Sequence, residues 1–237
     1  MRVLVVIPTY NEAGNIAAVV AGVQATGAGD IAVIDDGSDD DTAALARRAG
    51  AIVLRHACNL GIGGAVQTGF LYALQHGYDA VVRVDGDGQH DPTFIAGLLE
   101  PLENGRADVV VGSRFLARQG YQSTLVRRIG IVVLGLLSTL VGAHVTDPTS
   151  GYWALNRRAL RVLAKFQPDD YPETQSLLVA ARAGCRIFEL PVVMQERGTG
   201  QSSIGVLASG FYMVKVILAV LIERLRPRTR NDTSSGR

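Results

Sequence analysis

The sequence predicts an α/β fold with a mainly parallel central sheet flanked by helices. Short apolar runs of strand length alternate with segments in which apolar residues recur every three to four positions, as on the buried face of a helix. Repeated strand–helix units favour parallel strands joined by right-handed crossovers. A length of 237 residues is most economically one domain with a large core, although two small domains are possible.

The composition narrows the class of protein. The net charge is +1, and 48% of the residues are hydrophobic and 19% charged. A balanced charge argues against nucleic-acid binding, and the apolar composition indicates contact with a membrane surface. Cys58 and Cys185 lack metal-ligand spacing, so we expect neither a disulfide framework nor a zinc site, and a reducing cytosol fits. The first apolar run is too short for a signal peptide.

Three strand–helix units open the chain, with predicted strands over residues 3–7, 31–34 and 52–54. The acidic loop 35–41 can be explained by a structural role alone, in which one Asp caps the next helix and the others are solvated. The glycine loop 59–65 is not a dinucleotide fingerprint, because the last glycine of that motif would fall at Val66. No Lys completes a phosphate-binding loop there either.

The fourth strand, Ala80–Val82, leads into two carboxylates at the sheet's carboxyl end, where open α/β sheets bind ligands. Asp85 and Asp87 are separated by one Gly, so in a turn both can reach one Mg²⁺ or Mn²⁺ together with substrate phosphates. The alternative is a solvated Asp/Gly turn. Asp91 followed by Pro92 predicts the start of the next helix.

The second half contains three further predicted strands. Residues 108–111 form strand five, which we expect beside the Asp85 strand and which ends in Arg114. A short strand begins at Trp153, and a last strand covers residues 187–193, with helices at Arg157 and over residues 175–183. Asp147, ahead of the short strand, is either part of a ligand-binding loop or only a cap or turn residue.

Seven motifs occur in the order seen in one enzyme family: Pro8–Glu12, Asp35–Ser38, Asn59–Gly61, Asp85–Gln89, Gly112–Arg114, Asp147–Tyr152 and Arg197–Ser203. Together they resemble family-two glycosyltransferases of the GT-A fold. Within that family the chain looks most like the dolichol-phosphate and polyprenyl-phosphate mannosyl- or glucosyltransferases, over roughly residues 1–205.

The resemblance implies a metal-dependent inverting transferase that moves mannose or glucose from GDP-mannose or UDP-glucose to a polyprenyl phosphate. The residues implied to bind the nucleotide sugar are Pro8, Tyr10, Glu12, Asp36, Gly61, Asp85 and Arg197. Of these, Asp36 would accept a hydrogen bond from the base. A carboxylate can accept from uracil or guanine, so the base stays open. The resemblance further implies that Mg²⁺ or Mn²⁺ is held by Asp85 and Asp87, with Gln89.

The acceptor side is implied in the same way. Arg114, Arg128 and Ser203 would bind the acceptor, since an arginine fork suits phosphate, and the catalytic set would be Asp87, Arg114 and Glu173. The alternative for Arg128 is a flanking charge of an amphipathic helix, and the alternative for Glu173 is a helix-start residue. Glu173 would orient an acceptor phosphate more than deprotonate it. With a hydroxyl acceptor, Asp170 or Glu173 would be an obligatory base.

Residues 206–224 form a predicted apolar helix, and we expect the basic tail 225–237 to be disordered. An interfacial helix is preferred over a spanning or core helix, and the run 129–143 is too short to cross a bilayer. The expected location is the cytoplasm, peripherally on the cytoplasmic face of the membrane. Two rivals remain: transfer to a soluble sugar or protein hydroxyl, and a non-catalytic sugar-nucleotide-binding subunit.

Overall fold

The computed structural model describes residues 1–117, 145–165 and 172–195. Within them the strands are β1 (Val3–Thr9), β2 (Asp30–Asp35), β3 (Ile52–Arg55), β4 (Ala80–Arg83), β5 (Val109–Ser113), β6 (Trp153–Asn156) and β7 (Ile187–Pro191). The helices are α1 (Ile16–Ala25), α2 (Thr42–Arg48), α3 (Gly61–Gln75), α4 (Ile95–Glu103), α5 (Arg114–Ala117), α6 (Arg157–Leu163) and α7 (Pro172–Arg182).

The seven strands form one sheet in the order β3-β2-β1-β4-β6-β5-β7. All neighbouring pairs are parallel except those of β6, which runs antiparallel to β4 and β5. The predicted α/β class with a mainly parallel sheet is therefore confirmed. The expectation that strand five lies beside the Asp85 strand is wrong, because β6 lies between them. The chain leaves β5 at the carboxyl end of the parallel strands and enters β6 at that same end. The direction of β6 is therefore opposite to that of β5.

Helices cover both faces of the sheet. Alternate residues of β1 point to opposite faces, and all of them are buried, as expected for a central parallel strand. One core cluster joins Leu4 and Val6 to α3, α6 and α7. The other joins Val5 and Ile7 to α1 and α4. This double-sided packing fixes the carboxyl ends of β1, β2 and β4, from which the candidate site is built.

The predicted helix start after β4 is confirmed. Asp91 accepts a hydrogen bond from the backbone N–H of Thr93 at 2.9 Å, and Pro92 opens a short 3-10 turn that continues into α4. Among the described residues, no helix has both the length and the apolar character needed to cross a membrane. The predicted apolar segments 129–143 and 206–224, and the tail 225–237, lie outside the described residues.

Candidate active site at the carboxyl edge of the sheet

The loops that follow β1 and β2 are hydrogen-bonded to each other. The Asn11 N–H donates to Ser38 Oγ at 2.9 Å, and the Glu12 N–H donates to Thr42 Oγ1 at 2.8 Å. Asn11 adopts a left-handed backbone conformation, with φ of 55°, and its side-chain oxygen accepts from the Asp39 N–H at 2.9 Å. The acidic loop is therefore not a freely solvated segment. Together with the β1 loop it forms one wall of the candidate site.

The residues predicted to line the base and ribose lie on this wall. Tyr10 is 45% exposed, which leaves it accessible to a ligand. Pro8 is buried at the end of β1. Glu12 accepts from Asn15 Nδ2 at 2.7 Å. The structure brings the three together, and their roles toward a nucleotide stay a prediction.

Asp36 is buried and accepts hydrogen bonds from the chain itself. Its Oδ1 accepts from His56 Nδ1 at 2.7 Å and from the Leu60 N–H at 2.9 Å, and its Oδ2 accepts from the Gly61 N–H at 2.8 Å. Gly61 has φ of 83°, a conformation that glycine adopts without strain. Asp36 thus anchors the loop that opens α3, and its predicted contact with the base would share oxygens already in use.

His56 is a residue that sequence reasoning missed. Besides its contact with Asp36, its Nε2 lies 2.9 Å from Thr68 Oγ1 on α3. It therefore fixes Asp36 against the helix. The signal that could have found it is its position directly after β3, at the carboxyl edge where the other loops meet.

The Asp85–Gln89 turn packs tightly against β1. An ideal Cβ at Gly86 would lie 2.5 Å from Thr9 Cγ2 and 3.3 Å from the Pro8 carbonyl oxygen, so any side chain at that position would displace Thr9. Asp87 is buried, and its Oδ1 accepts from the Gln89 N–H at 3.0 Å. The turn therefore holds the predicted metal carboxylates close to the end of β1.

Both ring nitrogens of His90 lie close to Asp85. Its Nδ1 accepts from the Asp85 N–H at 3.0 Å, and its Nε2 lies 3.7 Å from Asp85 Oδ2. The ring stacks on Tyr152, with centroids 4.6 Å apart. Burial lowers the pKa of His90. The neutral ring therefore presents Nε2–H to the Asp85 carboxylate.

Arg83, at the end of β4, is a second residue that sequence reasoning missed. It is buried, and its guanidinium contacts Asp85 Oδ1 at 3.1 Å and Glu173 Oε1 at 2.9 Å. Burial lowers the pKa of Arg83, but Asp85 and Glu173 outweigh burial and raise it, so the side chain stays charged. An arginine ending an otherwise apolar strand was the available signal. Glu173 lies in the first turn of α7 and is held at the site by Arg83.

Arg114 lies in the same site but is already paired. Its Nε lies 2.7 Å from Asp147 Oδ2, its Nη2 lies 2.6 Å from Asp147 Oδ1, and Nη2 also donates to Thr149 Oγ1 at 2.8 Å. Burial lowers the pKa of Arg114, and Asp147, followed by Asp85 and Glu173, raises it above its ordinary value. Asp147 is thus the counter-ion of Arg114 and more than a turn residue. Arg128, Asp170, Arg197 and Ser203 lie outside the described residues.

The donor set at this edge suits a hard divalent cation completed by substrate phosphates. The described residues contain no cluster of three or more carboxylate, His or Cys ligands that could hold a metal alone. Mg²⁺ and Mn²⁺ sites commonly use one or two carboxylates together with phosphates and water. Asp85 and Asp87, with the Gln89 amide beside them, fit that arrangement. The Gln89 nitrogen lies 3.5 Å from the Gln195 carbonyl oxygen, so its own oxygen is the atom suited to a cation.

Residues 4–163 match the family described as glycosyl transferase family 2. The chain is 34% identical to undecaprenyl-phosphate mannosyltransferase of Micrococcus luteus over 242 aligned positions, which cover 96% of this chain and 99% of that protein. It is 31% identical to UDP-N-acetylglucosamine–dolichyl-phosphate N-acetylglucosaminyltransferase of Methanococcus voltae, covering 80% of this chain and 84% of that protein.

The fold has solved counterparts as well. Glucosyl-3-phosphoglycerate synthase from Mycobacterium tuberculosis, in complex with Mn²⁺ and UDP-glucose, superposes with a TM-score of 0.72 at 25% identity. That superposition covers 95% of this chain and 80% of that one, which confirms the predicted GT-A fold. The family match and the end-to-end relative lead to one conclusion: the chain belongs to glycosyl transferase family 2 and is a glycosyltransferase.

Proposed function

We propose that this glycosyltransferase moves a hexose from a nucleotide sugar to a polyprenyl phosphate. The observation that carries the proposal is the 34% identity, over nearly the whole of both chains, to a protein named undecaprenyl-phosphate mannosyltransferase. The relative from Methanococcus voltae is likewise named for a dolichyl-phosphate acceptor but uses a different sugar nucleotide. The lipid phosphate acceptor is therefore the shared feature, and mannose or glucose from GDP-mannose or UDP-glucose is the donor class we test.

On the donor side, Asp85 and Asp87 hold Mg²⁺ or Mn²⁺ against the donor diphosphate, with Gln89 beside them. When bound, the cation neutralises the charge that develops on the departing nucleoside diphosphate. The crystal structure of the Mycobacterium tuberculosis synthase was solved with Mn²⁺ and UDP-glucose, which supports this arrangement. Tyr10 offers its exposed ring to the base. The tight packing of Gly86 on Thr9 keeps the two halves of the donor site at a fixed separation.

On the acceptor side, Arg114 and Glu173 frame the space next to Asp85. An acceptor phosphate is ionised at neutral pH, so it attacks the anomeric carbon without a general base. Arg114 supplies a positive charge for that phosphate while Asp147 fixes the orientation of its guanidinium. Glu173, held by Arg83, orients the acceptor and does not take up its proton. Inversion at the anomeric carbon follows from a single displacement.

The membrane part of the proposal rests on the sequence. The apolar segment 204–222 is followed by the arginine-rich residues 223–230, a pattern suited to an anionic membrane surface. We place the enzyme peripherally on the cytoplasmic face of the membrane. Sedimentation with anionic vesicles tests this: full-length protein should pellet with them, and a folded chain lacking residues 206–237 should stay in the supernatant. Equal pelleting of the two would exclude this anchor.

Transfer of radiolabel from GDP-mannose or UDP-glucose into the lipid phase tests the reaction itself. Purified protein is incubated with each donor, Mn²⁺ and polyprenyl phosphate, and the matched control replaces the lipid phosphate with the corresponding polyprenol. We expect label in the lipid only with the phosphate. Transfer to the alcohol, or to a water-soluble acceptor alone, would contradict the proposal.

A further inference from the structure

Arg83 is a buried cation that joins two carboxylates of the site. Its side chain is 3% exposed, whereas those of Asp85 and Glu173 are 32% and 17% exposed. Its Nε and Nη2 both donate to Asp85 Oδ1, and its Nη1 lies 2.9 Å from Glu173 Oε1. The guanidinium therefore stands on the protein side of the two carboxylates, which are the groups that reach the site.

The surrounding backbone keeps this ion pair in place. An ideal Cβ at Gly151 would lie 2.9 Å from Arg83 Nη2 and 2.9 Å from Asp85 Oδ2, so the chain at residue 151 closes one side. Arg83 is also opposite Trp153 in the antiparallel pairing of β4 with β6. Neither partner can move far without displacing backbone. A substitution that removes the charge of Arg83 therefore changes the electrostatic field of the site more than its shape.

The charge of Arg83 acts on Asp85 in two opposing ways. It compensates Asp85 and Glu173, which would otherwise repel each other as like charges. It also occupies Asp85 Oδ1 and repels any second cation that approaches the same carboxylate. A bare divalent cation is therefore attracted less strongly than it would be by free carboxylates. A nucleoside diphosphate brings negative charge and restores the attraction.

We propose that Arg83 is a positioning residue that acts as an internal counter-cation for the site. It holds Asp85 and Glu173 in place while the divalent cation is absent, and it weakens binding of the bare cation so that the cation binds together with a nucleoside diphosphate. This inference rests on the proposed function, because it takes Asp85 and Asp87 as the metal carboxylates. Since coupling between two ligands is reciprocal, the nucleotide must gain affinity from the cation by the same factor.

Electron paramagnetic resonance of free Mn²⁺, in titrations of the full-length protein, tests the inference without any turnover. Arg83→Met removes the charge from a side chain of similar length. This variant should bind Mn²⁺ alone about tenfold more tightly than the wild type does. Arg83→Lys, the matched control, keeps the charge and should bind Mn²⁺ within about threefold of the wild type.

A second pair of variants keeps the test decisive if Arg83→Met fails to fold, as judged by circular dichroism. Glu173→Gln leaves Arg83 facing Asp85 alone, so Mn²⁺ alone should bind about three- to tenfold more weakly. The double variant Arg83→Met/Glu173→Gln removes one charge of each sign, and its affinity for Mn²⁺ should return toward that of the wild type.

The sign of the change separates the outcomes. Unchanged or weaker Mn²⁺ binding in folded Arg83→Met, or tighter binding in Glu173→Gln, would overturn the inference and leave the proposed function standing. A wild-type protein that binds no Mn²⁺ even with UDP or GDP would overturn the proposed function and the inference together.

Discussion

Arg114 and Asp147 are 33 residues apart in sequence and form a bidentate ion pair, with nitrogen–oxygen distances of 2.7 and 2.6 Å. Asp147 is fully buried, and the Arg114 side chain is mostly buried. The orientation of the Arg114 guanidinium is therefore fixed, and an acceptor phosphate bound there, as proposed, would share it with Asp147. This pairing also means that the two residues support the fold.

Asp147→Ala should destabilise the protein by about 3–5 kcal/mol, because it leaves the partly buried guanidinium of Arg114 without a counter-ion. Thr149→Val, which keeps the ion pair and removes the hydrogen bonds of Thr149 Oγ1 with Arg114 and Asp147, should cost about 1 kcal/mol. Urea unfolding followed by circular dichroism measures both. A loss below about 1 kcal/mol in Asp147→Ala would show that the pair contributes little to the fold.

The contact of Gly86 with Thr9 predicts a compensating pair of substitutions. Gly86→Ala should lower transfer activity at least about tenfold, because its Cβ would press on Thr9 Cγ2 and displace the carboxylates of the turn. Thr9→Ser removes that methyl group and keeps the hydroxyl. The double variant Gly86→Ala/Thr9→Ser should therefore recover much of the activity. Equal activity of Gly86→Ala and the wild type would contradict the tight packing.

His56 should influence nucleotide binding through Asp36. His56→Leu removes the donor at Asp36 Oδ1 and the contact with Thr68, and the loss of a hydrogen bond to a carboxylate should weaken UDP or GDP binding about tenfold. Thr68→Val is the matched control, since it removes the hydrogen bonds of Thr68 with His56 and Gly64 but leaves His56 bonded to Asp36, and its effect should be smaller. Calorimetry in the presence of Mn²⁺ measures both. Unchanged nucleotide affinity in folded His56→Leu would separate Asp36 from the donor site.

Asp108 predicts a loss of stability in acid. Burial raises the pKa of Asp108, but hydrogen bonds from Arg186 and Asn156 outweigh burial and lower it to about 2. An unfolded Asp titrates near 3.9, so this contribution is complete above about pH 4 and is lost as the pH falls toward 2. Because Arg186 is largely exposed, we expect only about 1–2 kcal/mol. Urea unfolding at pH 5 and pH 2.5 should show a smaller loss for Asp108→Asn than for the wild type.

Local sequence patterns predicted the strand–helix units of the amino-terminal half and the turn with Asp85 and Asp87, because apolar periodicity and turn residues act over short distances. The direction of β6 was not predictable in the same way. Its four residues carry no sign of direction, which is set by the edge where the chain re-enters the sheet. The expectation that β4 and β5 are neighbouring strands was wrong for that reason.

Local sequence patterns could not predict the ion pairs of the site either. Arg83 meets Glu173, and Arg114 meets Asp147, only because strands and helices distant in sequence converge at one edge. The motif order pointed to Arg114 and Glu173 as functional but could not reveal their partners. Asp36 illustrates the same limit, since its three donors come from the end of β3 and the start of α3.

The proposed function requires Asp87 for metal-dependent transfer of a hexose to a lipid phosphate. Initial rates of label transfer from GDP-mannose or UDP-glucose to polyprenyl phosphate are compared for wild type and Asp87→Asn, each with Mn²⁺ and with excess EDTA. We expect transfer only by the wild type with Mn²⁺, and a rate at least about a hundredfold lower for Asp87→Asn, whose folding should be unchanged. Undiminished transfer in EDTA, or by Asp87→Asn, would contradict the account.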